Sequence, residues 1–148
     1  PRPPTQAVRE QLGVEACLSL EGLLAEADFV SVHCPGGTAT RHLLDAERLA
    51  KLKPGSILIN TARGEIIDEA AMIEALDDGT VAGLGLDVYT NEPQVPAALL
   101  KLENVVLLPN MGSATHTTRI AMGRRAKQNL DDFFAGRAPR DVVVVTPT

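Results

Sequence analysis

Short apolar runs alternate with amphipathic segments along the chain. The runs predict β-strands over residues 14–18, 29–32, 57–59, 82–88 and 105–108. Polar cap residues followed by apolar residues at helical spacing predict helices over 5–12, 20–27, 45–53, 68–76, 96–102 and 114–136. Strands that alternate with helices in this way predict an α/β domain with a parallel sheet and right-handed crossovers.

The predicted strand at 57–59 ends abruptly in small polar residues and an arginine. Its apolar residues are consecutive and follow the turn signal Lys53-Pro54-Gly55, a pattern typical of a central strand covered on both faces. Ligands of parallel sheets bind outside the carboxyl ends of the strands. Residues 60–63 are therefore predicted to line a crevice, and Gly64 to supply the backbone freedom to turn away.

Arg63 is the candidate for chemistry at this strand end. Its planar, permanently charged fork suits a small carboxylate, and the alternative is a surface ion pair. Two further predicted strands end in polar stretches, at 87–92 and 110–113. By the same rule the three strand ends converge, which is the main functional signal in the sequence.

Composition and charge exclude several classes of function. The chain has 148 residues, of which 45% are hydrophobic, enough for one domain with a core. Its net charge of -5 disfavours nucleic acid or an anionic membrane as the main partner, and no apolar run approaches the ~20 residues that span a bilayer. Cys17 and Cys34 fit neither a disulfide framework nor a metal site, so we expect no metal and a reducing cytoplasm.

The expected dinucleotide signature is missing. The nearest match to Gly-x-Gly-x-x-Gly is the run 83–86, which lies inside a predicted strand and is therefore rejected as a phosphate loop. Its glycines are expected to allow a helix to pack closely on the sheet. The first residues, Pro1-Arg2-Pro3-Pro4, have neither an initiator Met nor a signal-peptide pattern, so we expect the chain to begin partway through a larger protein.

Three motifs together resemble those of the D-isomer-specific 2-hydroxyacid dehydrogenases. They are Asn-Thr-Ala-Arg-Gly at 60–64, Gly-Leu-Asp-Val at 85–88 with Glu92-Pro93, and Leu-Pro-Asn-Met-Gly-Ser-Ala-Thr at 108–115. The stretch 27–35 agrees, and residues 113–119 are most similar to the glyoxylate and hydroxypyruvate reductases. The resemblance implies a Rossmann-like fold that lacks the first strands and the glycine-rich loop. It also implies that residues 1–137 are a partial NAD(P)-binding domain and that 138–148 begin a return segment toward a substrate domain.

The resemblance also assigns catalytic roles. Arg63 would bind the substrate carboxylate beside the nicotinamide, and Glu92 would hold and polarise a catalytic histidine. That histidine is replaced by Asn110, because the chain has Pro-Asn-Met-Gly-Ser at 109–113 where the family has Pro-His-x-Gly-Ser. A carboxamide donates hydrogen bonds but cannot supply a proton near neutral pH, so the change predicts a site that binds but is nearly silent.

For the cofactor, NAD or NADP, the resemblance implies a separate set of residues. Positions that line the adenosine and nicotinamide in the family correspond here to Cys34, Pro35, Thr61, Ala62, Arg63 and Asp87. Gly112 and Ser113 would approach the carboxamide of the nicotinamide, and Arg2 suits the 2′-phosphate of NADP.

Each assignment has a simpler alternative. Cys34 is either a reactive thiol or a packed, inert cysteine, Asp87 is either a cofactor residue or a cap, and Glu92 is otherwise a solvated turn residue. We expect His33 and His42 to form local hydrogen bonds, and the cluster of Arg124, Arg125 and Lys127 to be a solvated face. His116 is either a substitute acid or an exposed residue in the first turn of the long helix.

The resemblance implies reduction of a small 2-oxo acid, such as glyoxylate or hydroxypyruvate, to a D-2-hydroxy acid by hydride transfer from NAD(P)H. This activity would belong to an intact homodimeric protein and not to the segment alone. An alternative of a different class is a noncatalytic NAD(H)-binding sensor or scaffold that has lost the histidine.

Overall fold

A computed structural model describes residues 5–143. Four strands form one sheet in the order β1-β2-β3-β4, and all three neighbouring pairs are parallel. The strands are β1 (Phe29–Val32), β2 (Ser56–Asn60), β3 (Val81–Leu86) and β4 (Val105–Leu107). The predicted α/β class with a parallel sheet is confirmed. The carboxyl ends of the four strands therefore lie along one edge of the sheet.

Within residues 5–143, five α-helices and two 3₁₀ turns precede, connect or follow the strands. The helices are α1 (Gln6–Leu12), α2 (Leu20–Glu26), α3 (Ala46–Leu49), α4 (Glu69–Asp77) and α5 (His116–Phe134), and the 3₁₀ turns are Gly64–Ile66 and Leu99–Lys101. The side chains of Thr5, Asp45 and Asp68 accept hydrogen bonds from backbone N–H groups in the first turns of α1, α3 and α4, which confirms these caps. Helix α3 nevertheless has only four residues and ends before the predicted 53.

The core lies on one face of the sheet. Val30, Leu58 and Leu84 occupy neighbouring register positions and are buried together with Leu24 of α2 and Leu76 of α4. On the other face the side chains of Ile57 and Ile59 are only partly buried, and Phe29 is 67% exposed. The prediction that the central strand is covered on both faces is therefore wrong for the described residues, because α2 to α4 contribute to a core on one face.

Residues 14–18 do not form the predicted strand. They are extended coil, and the side chain of Leu18 is fully exposed. A strand is stabilised by pairing with a neighbour, and no described strand pairs with this segment. The helix predicted over 96–102 is likewise reduced to the 3₁₀ turn at Leu99–Lys101.

The glycines of the 83–86 run lie within β3, so rejecting this run as a phosphate loop is confirmed. They do not serve helix packing, however. A Cβ built on Gly83 would lie 3.2 Å from the carbonyl oxygen of Asn104, and one on Gly85 would lie 3.6 Å from Cγ1 of Ile59. Glycine at 83 avoids a tight contact with a loop carbonyl, whereas a Cβ at 85 would make an ordinary van der Waals contact with the side chain of Ile59.

The chain divides between Asn110 and Met111 into two compact units. The first holds the sheet and α1 to α4. The second holds α5, which begins at the cap Thr115 and is followed by Gly136 in the left-handed conformation. None of the residues of α5 is buried, and within this unit Arg125 forms a bidentate ion pair with Asp141. Among residues 5–143, no helix has the length and apolar character needed to cross a bilayer.

Candidate functional site

The exit of β2 is shaped by Asn60, whose side chain is 1% exposed. Its Nδ2 donates a hydrogen bond to the carbonyl oxygen of Arg63 at 2.9 Å, and its Oδ1 accepts one from the N–H of Ala62 at 3.0 Å. The prediction that Asn60 lines a crevice is therefore wrong. Its side chain instead stabilises the turn formed by residues 61–63. This is the local bonding to which asparagine is suited in turns.

Gly64 allows the β2 exit to contact the β3 exit. A Cβ at this position would overlap the backbone of Tyr89 and Thr90. The φ angle of Gly64 is not among the positive ones, so its backbone does not use the left-handed region. The prediction that Gly64 supplies backbone freedom is wrong, and the glycine is instead required by the close approach of two loops.

A cleft of about 790 Å³ opens at the carboxyl ends of β1 and β2. Its lining includes five residues predicted to contact the cofactor: Cys34, Pro35, Thr61, Ala62 and Arg63. Gly36, Gly37, His33 and Glu65 complete it. The structure thus brings together residues that lie about thirty positions apart in the sequence.

Arg63 is exposed in this cleft. Its Nη1 donates a hydrogen bond to the carbonyl oxygen of Ala62 at 2.6 Å. Within residues 5–143, no carboxylate forms an ion pair with its guanidinium. The alternative interpretation as a surface ion-pair residue is therefore wrong for the described part of the chain. A guanidinium without a carboxylate partner is available to an anionic ligand.

A second group of side chains joins the exits of β3 and β4. Nδ2 of Asn110 donates a hydrogen bond to Oε2 of Glu92 at 3.0 Å, and Oε1 of Glu92 accepts one from the N–H of Tyr89 at 3.1 Å. These three residues line a small cavity of about 110 Å³ together with Pro93, Val95 and Pro109. One carboxylate therefore orients the side chain of Asn110 and restrains the backbone of the β3 exit.

Tyr89 also connects the exits of β3 and β4. Its side chain is 7% exposed, and its hydroxyl donates a hydrogen bond to the carbonyl oxygen of Leu108 at 3.0 Å. Burial raises the pKa of this phenol, and the negative charge of Asp87 adds to the effect. The hydroxyl thus remains protonated and donates throughout the physiological pH range.

The first 112 residues match the family described as "D-isomer specific 2-hydroxyacid dehydrogenase, NAD binding domain". The chain belongs to this family. The resemblance inferred from the three motifs is confirmed, and so is the Rossmann-like, NAD-binding nature of the domain.

Relatives of known sequence or structure extend this match. The chain is 45% identical over 143 residues to glyoxylate/hydroxypyruvate reductase B of Yersinia pestis (strain Pestoides F), covering 96% of this chain and 44% of the relative. It superimposes on the holo form of D-mandelate dehydrogenase from Rhodotorula graminis with a TM-score of 0.89 at 35% identity, covering 99% of this chain and 44% of the other. An NADPH-dependent glyoxylate/hydroxypyruvate reductase from Sinorhizobium meliloti, solved with NADP and malonate, gives a TM-score of 0.81 at 39% identity over 91% of this chain and 46% of the other. The chain thus spans less than half the length of these relatives.

The cleft fits a part of the dinucleotide that this family binds. Glycine and alanine at 36, 37 and 62 expose backbone to a ligand, and Arg63 adds a positive charge. Asp87, by contrast, is 7% exposed and is not among the residues that line the cleft; its N–H donates to the carbonyl oxygen of Asn60 at 3.0 Å.

The remaining predicted cofactor residues are not among the described residues of the first unit. Gly112 and Ser113 belong to the second unit, and Arg2 lies outside the described residues. Cys34 is half-buried and packs against the core as well as lining the cleft.

The remaining candidates form local contacts. Nε2 of His33 lies 2.8 Å from Oγ of Ser31, which confirms the local hydrogen bond predicted for His33. Nδ1 of His42 lies 3.7 Å from Oδ2 of Asp68, which is an ion-pair distance and too long for a hydrogen bond. His116 is the exposed first residue of α5. The solvated face predicted for Arg124, Arg125 and Lys127 is confirmed, because all three are exposed, and on this face Arg125 pairs with Asp141. The described residues contain no group of His, Cys, Asp and Glu that could hold a metal ion.

Sequence reasoning missed Tyr89 and Glu65. Tyr89 is the single tyrosine of the chain and sits at a strand exit, which was a usable signal. Glu65 had none, because its partners lie in a loop 28 residues away.

Proposed function

We propose that the intact protein carrying this chain is an NAD(P)-dependent D-2-hydroxyacid dehydrogenase that reduces a small 2-oxo acid of the glyoxylate or hydroxypyruvate type. The observation that carries the proposal is the cleft at the ends of β1 and β2, in which Arg63 has no carboxylate partner among the described residues. The names of the relatives from Yersinia pestis and Sinorhizobium meliloti support this class of substrate.

The residues of the cleft divide the work of binding. Arg63 anchors the carboxylate of the substrate through two parallel hydrogen bonds, which orients its 2-oxo group. Cys34, Pro35, Thr61 and Ala62 hold the cofactor, and Asp87, Gly112, Ser113 and Arg2 complete its site. The bound NAD(P)H supplies the hydride.

Reduction also requires a proton on the oxygen that was the carbonyl. Glu92 and Asn110 stand where the family has its acid, and the amide of Asn110 can donate a hydrogen bond to that oxygen without releasing a proton. Loss of general acid catalysis costs about 10²- to 10⁴-fold in rate. The intact native protein therefore binds substrate and turns it over slowly.

The replacement of the acid by Asn110 also favours one alternative from a different class of function. If Asn110 abolishes turnover completely, the protein is a noncatalytic NAD(H)-binding module that reports or scaffolds. Its cleft and Arg63 would then serve binding alone.

Replacing Asn110→His in the intact protein tests the proposal. We expect turnover of glyoxylate with NADPH to rise by about 10²-fold or more, because an imidazole held by Glu92 supplies the missing proton. Cofactor affinity should stay within a few-fold, since the cleft is unchanged. Asn91→His, at an exposed position before Glu92, is the matched control and should leave turnover at the native level.

Two outcomes contradict this proposal. A folded Asn110→His protein with flat and negligible turnover favours the noncatalytic module. Native turnover that disappears in His116→Ala shows instead that His116 supplies the proton.

The division into domains 1–137 and 138–148, the homodimer and the cytoplasmic location form part of the same proposal. They rest on the resemblance to the family.

A further inference from the structure

The loop that follows β1, residues 35–40, forms one wall of the cleft. Oγ1 of Thr40 donates a hydrogen bond to the carbonyl oxygen of Pro35 at 2.6 Å, and the N–H of Thr40 donates to the carbonyl oxygen of Gly37 at 3.1 Å. These bonds close the loop on itself. They do not connect it to the wall that carries Arg63.

That connection is made by Glu65, two residues after Arg63. Oε1 of Glu65 accepts a hydrogen bond from the N–H of Gly37 at 2.8 Å, and its carbonyl oxygen accepts one from the N–H of His42 at 2.9 Å. One residue of the β2 exit thus holds the loop of residues 35–40 at one of its glycines and just beyond its end.

The stem of Arg63 lies in the same contact. A Cβ built on Gly36 would be 2.8 Å from Cγ of Arg63 and 2.8 Å from Oε1 of Glu65. The side chains of Arg63 and Glu65 therefore both pack against the backbone of Gly36. A movement of the loop at Gly36 changes the space available to the Arg63 stem.

Glu65 places a negative charge in a cleft that is proposed to bind anionic ligands. A carboxylate that lines a cleft for anionic ligands repels them, and a hydrogen bond from a neutral N–H stabilises its charge without removing it. Here Oε1 is committed to a backbone N–H, and no ion pair joins Glu65 to Arg63 within the described residues. The arrangement keeps the guanidinium of Arg63 available while the neighbouring carboxylate restrains the loop.

We propose that Glu65 is a positioning residue that fixes the loop of residues 35–40 against the stem of Arg63 and thereby sets the width of the cleft. The identity of the ligand in the cleft rests on the proposed function. The restraint of the loop by Glu65 does not depend on it.

Two substitutions at Glu65 in the intact protein separate the hydrogen bond from the charge. Glu65→Gln keeps an acceptor oxygen at the same reach, whereas Glu65→Ala removes it. Glu74→Ala, an exposed glutamate of α4, is the matched control. Hydrogen exchange of the Gly37 amide measures the restraint without any ligand, and a fluorescence titration with NADPH measures binding.

We expect Glu65→Ala to accelerate Gly37 exchange by about tenfold or more and to weaken NADPH binding by about tenfold, because the side-chain acceptor of the Gly37 N–H is lost. Glu65→Gln should stay within about threefold of the native protein in both measurements. Gly36→Ala gives a second test in a protein that keeps Glu65, because its Cβ would displace Cγ of Arg63 and Oε1 of Glu65 from their shared contact with the loop. It should weaken NADPH or glyoxylate binding even if Glu65→Ala fails to fold.

The outcomes distinguish this proposal from the proposed function. Unchanged Gly37 exchange in Glu65→Ala overturns it. Faster exchange with unchanged NADPH affinity also overturns it, and leaves the proposed function standing. If the native protein does not bind NADPH, the proposed function is contradicted. The Gly37 exchange rates and the response to Gly36→Ala then still test whether Glu65 restrains the loop.

Discussion

Arg63 has no carboxylate partner within the described residues, although Glu65 lies only two positions further along the chain. Its Nη1 bonds only to the neighbouring carbonyl of Ala62. Such a bond is easily exchanged for one to a ligand, because it links two adjacent residues and fixes no other part of the fold. Arg63 is therefore prepared for an anion at little cost to the fold.

Arg63→Lys tests whether the planar fork matters beyond its charge. In an Asn110→His background we expect KM for glyoxylate to rise and kcat to fall together, because lysine keeps the charge but loses the bidentate geometry that orients the 2-oxo group. A misplacement of about 1 Å can cost 10²-fold in rate. Steady-state kinetics measure both constants, and NADPH affinity should hold.

Arg41→Lys, an exposed position, is the matched control and should change neither constant. If kcat/KM of the Arg63→Lys protein stays within a few-fold, the arginine serves structure and not substrate binding.

The hydroxyl of Tyr89 restrains the backbone next to Asn110 through its hydrogen bond to Leu108. The bond to the Leu108 carbonyl fixes the chain two residues before Asn110, whose own φ of 54° lies in the left-handed region that asparagine tolerates. Tyr89→Phe should lower the free energy of unfolding by about 1 kcal/mol, since one hydrogen bond of a buried side chain is lost.

In the Asn110→His background, Tyr89→Phe should also lower kcat several-fold while KM for NADPH is kept. Urea denaturation and steady-state kinetics measure the two effects. If Tyr89→Phe changes neither the free energy of unfolding nor kcat in the Asn110→His protein, the hydroxyl does not position the exit of β4.

At the scale of elements, the site depends on how the strand exits fit one another. The 3₁₀ turn Gly64–Ile66 starts where the β2 exit meets the backbone of the β3 exit, and Asn60 and Glu65 bond on either side of that point. The walls of the cleft are thus set by loop-to-loop contacts as well as by the sheet.

Gly64→Ala should therefore be strongly destabilising. The Cβ would meet backbone atoms of Tyr89 and Thr90, and backbone yields less readily than the end of a flexible side chain. Overpacking of this kind costs about 1 to 3 kcal/mol. Urea denaturation should show the loss in the free energy of unfolding.

Gly123→Ala is the matched control. Gly123 lies within α5, and among the described residues no side chain or loop comes within 4 Å of the point that an alanine Cβ would occupy. Alanine also favours a helix over glycine by up to about 1 kcal/mol, so this change should be neutral or stabilising. A Gly64→Ala protein as stable as the native one would show that the two exits can separate without cost.

The elements that could be predicted from sequence are those with local causes. The caps at Thr5, Asp45 and Asp68 and the apolar run of β2 depend on residues close in the chain, and they were correct. The strand expected at 14–18 failed because a strand also needs a neighbour, which its own residues do not reveal.

The candidate site shows the same division. The three motifs identified Arg63, Glu92 and Asn110, and the pairing of Glu92 with Asn110 followed from the resemblance. The contacts of Glu65 and Tyr89 join loops 28 and 19 residues apart, so no local pattern could indicate them.

At the scale of the whole molecule, the chain carries only part of what the proposed hydride transfer requires. It holds the cleft and Arg63, but its sequence contains no Gly-x-Gly-x-x-Gly loop at the start of a helix, and it spans 44% of the relative from Yersinia pestis. In dinucleotide folds that loop binds the pyrophosphate. We therefore expect cofactor affinity and turnover to be properties of the intact protein.

The choice between NADPH and NADH is the last property we predict, and we expect it to depend on Arg2. Arg2 lies outside the described residues, so the prediction rests on its place in the sequence and on the NADPH dependence of the relative from Sinorhizobium meliloti. A guanidinium forms charge-assisted bonds to a 2′-phosphate that NADH lacks, each worth roughly 1.5 to 3 kcal/mol. A factor of ten in affinity corresponds to about 1.4 kcal/mol, so the intact protein should prefer NADPH by roughly tenfold or more.

Arg2→Ala should remove most of this preference by weakening NADPH binding while NADH binding is unchanged. Titrations of both cofactors against the native, Arg2→Ala and Arg41→Ala proteins measure it, and Arg41→Ala should behave as the native protein. Because the interaction is between charges near the surface, the preference should also shrink as the salt concentration rises. Equal affinity for the two cofactors, unaltered in Arg2→Ala, would exclude Arg2 from the site and leave Arg63 as the main cationic contact that this chain offers its ligands.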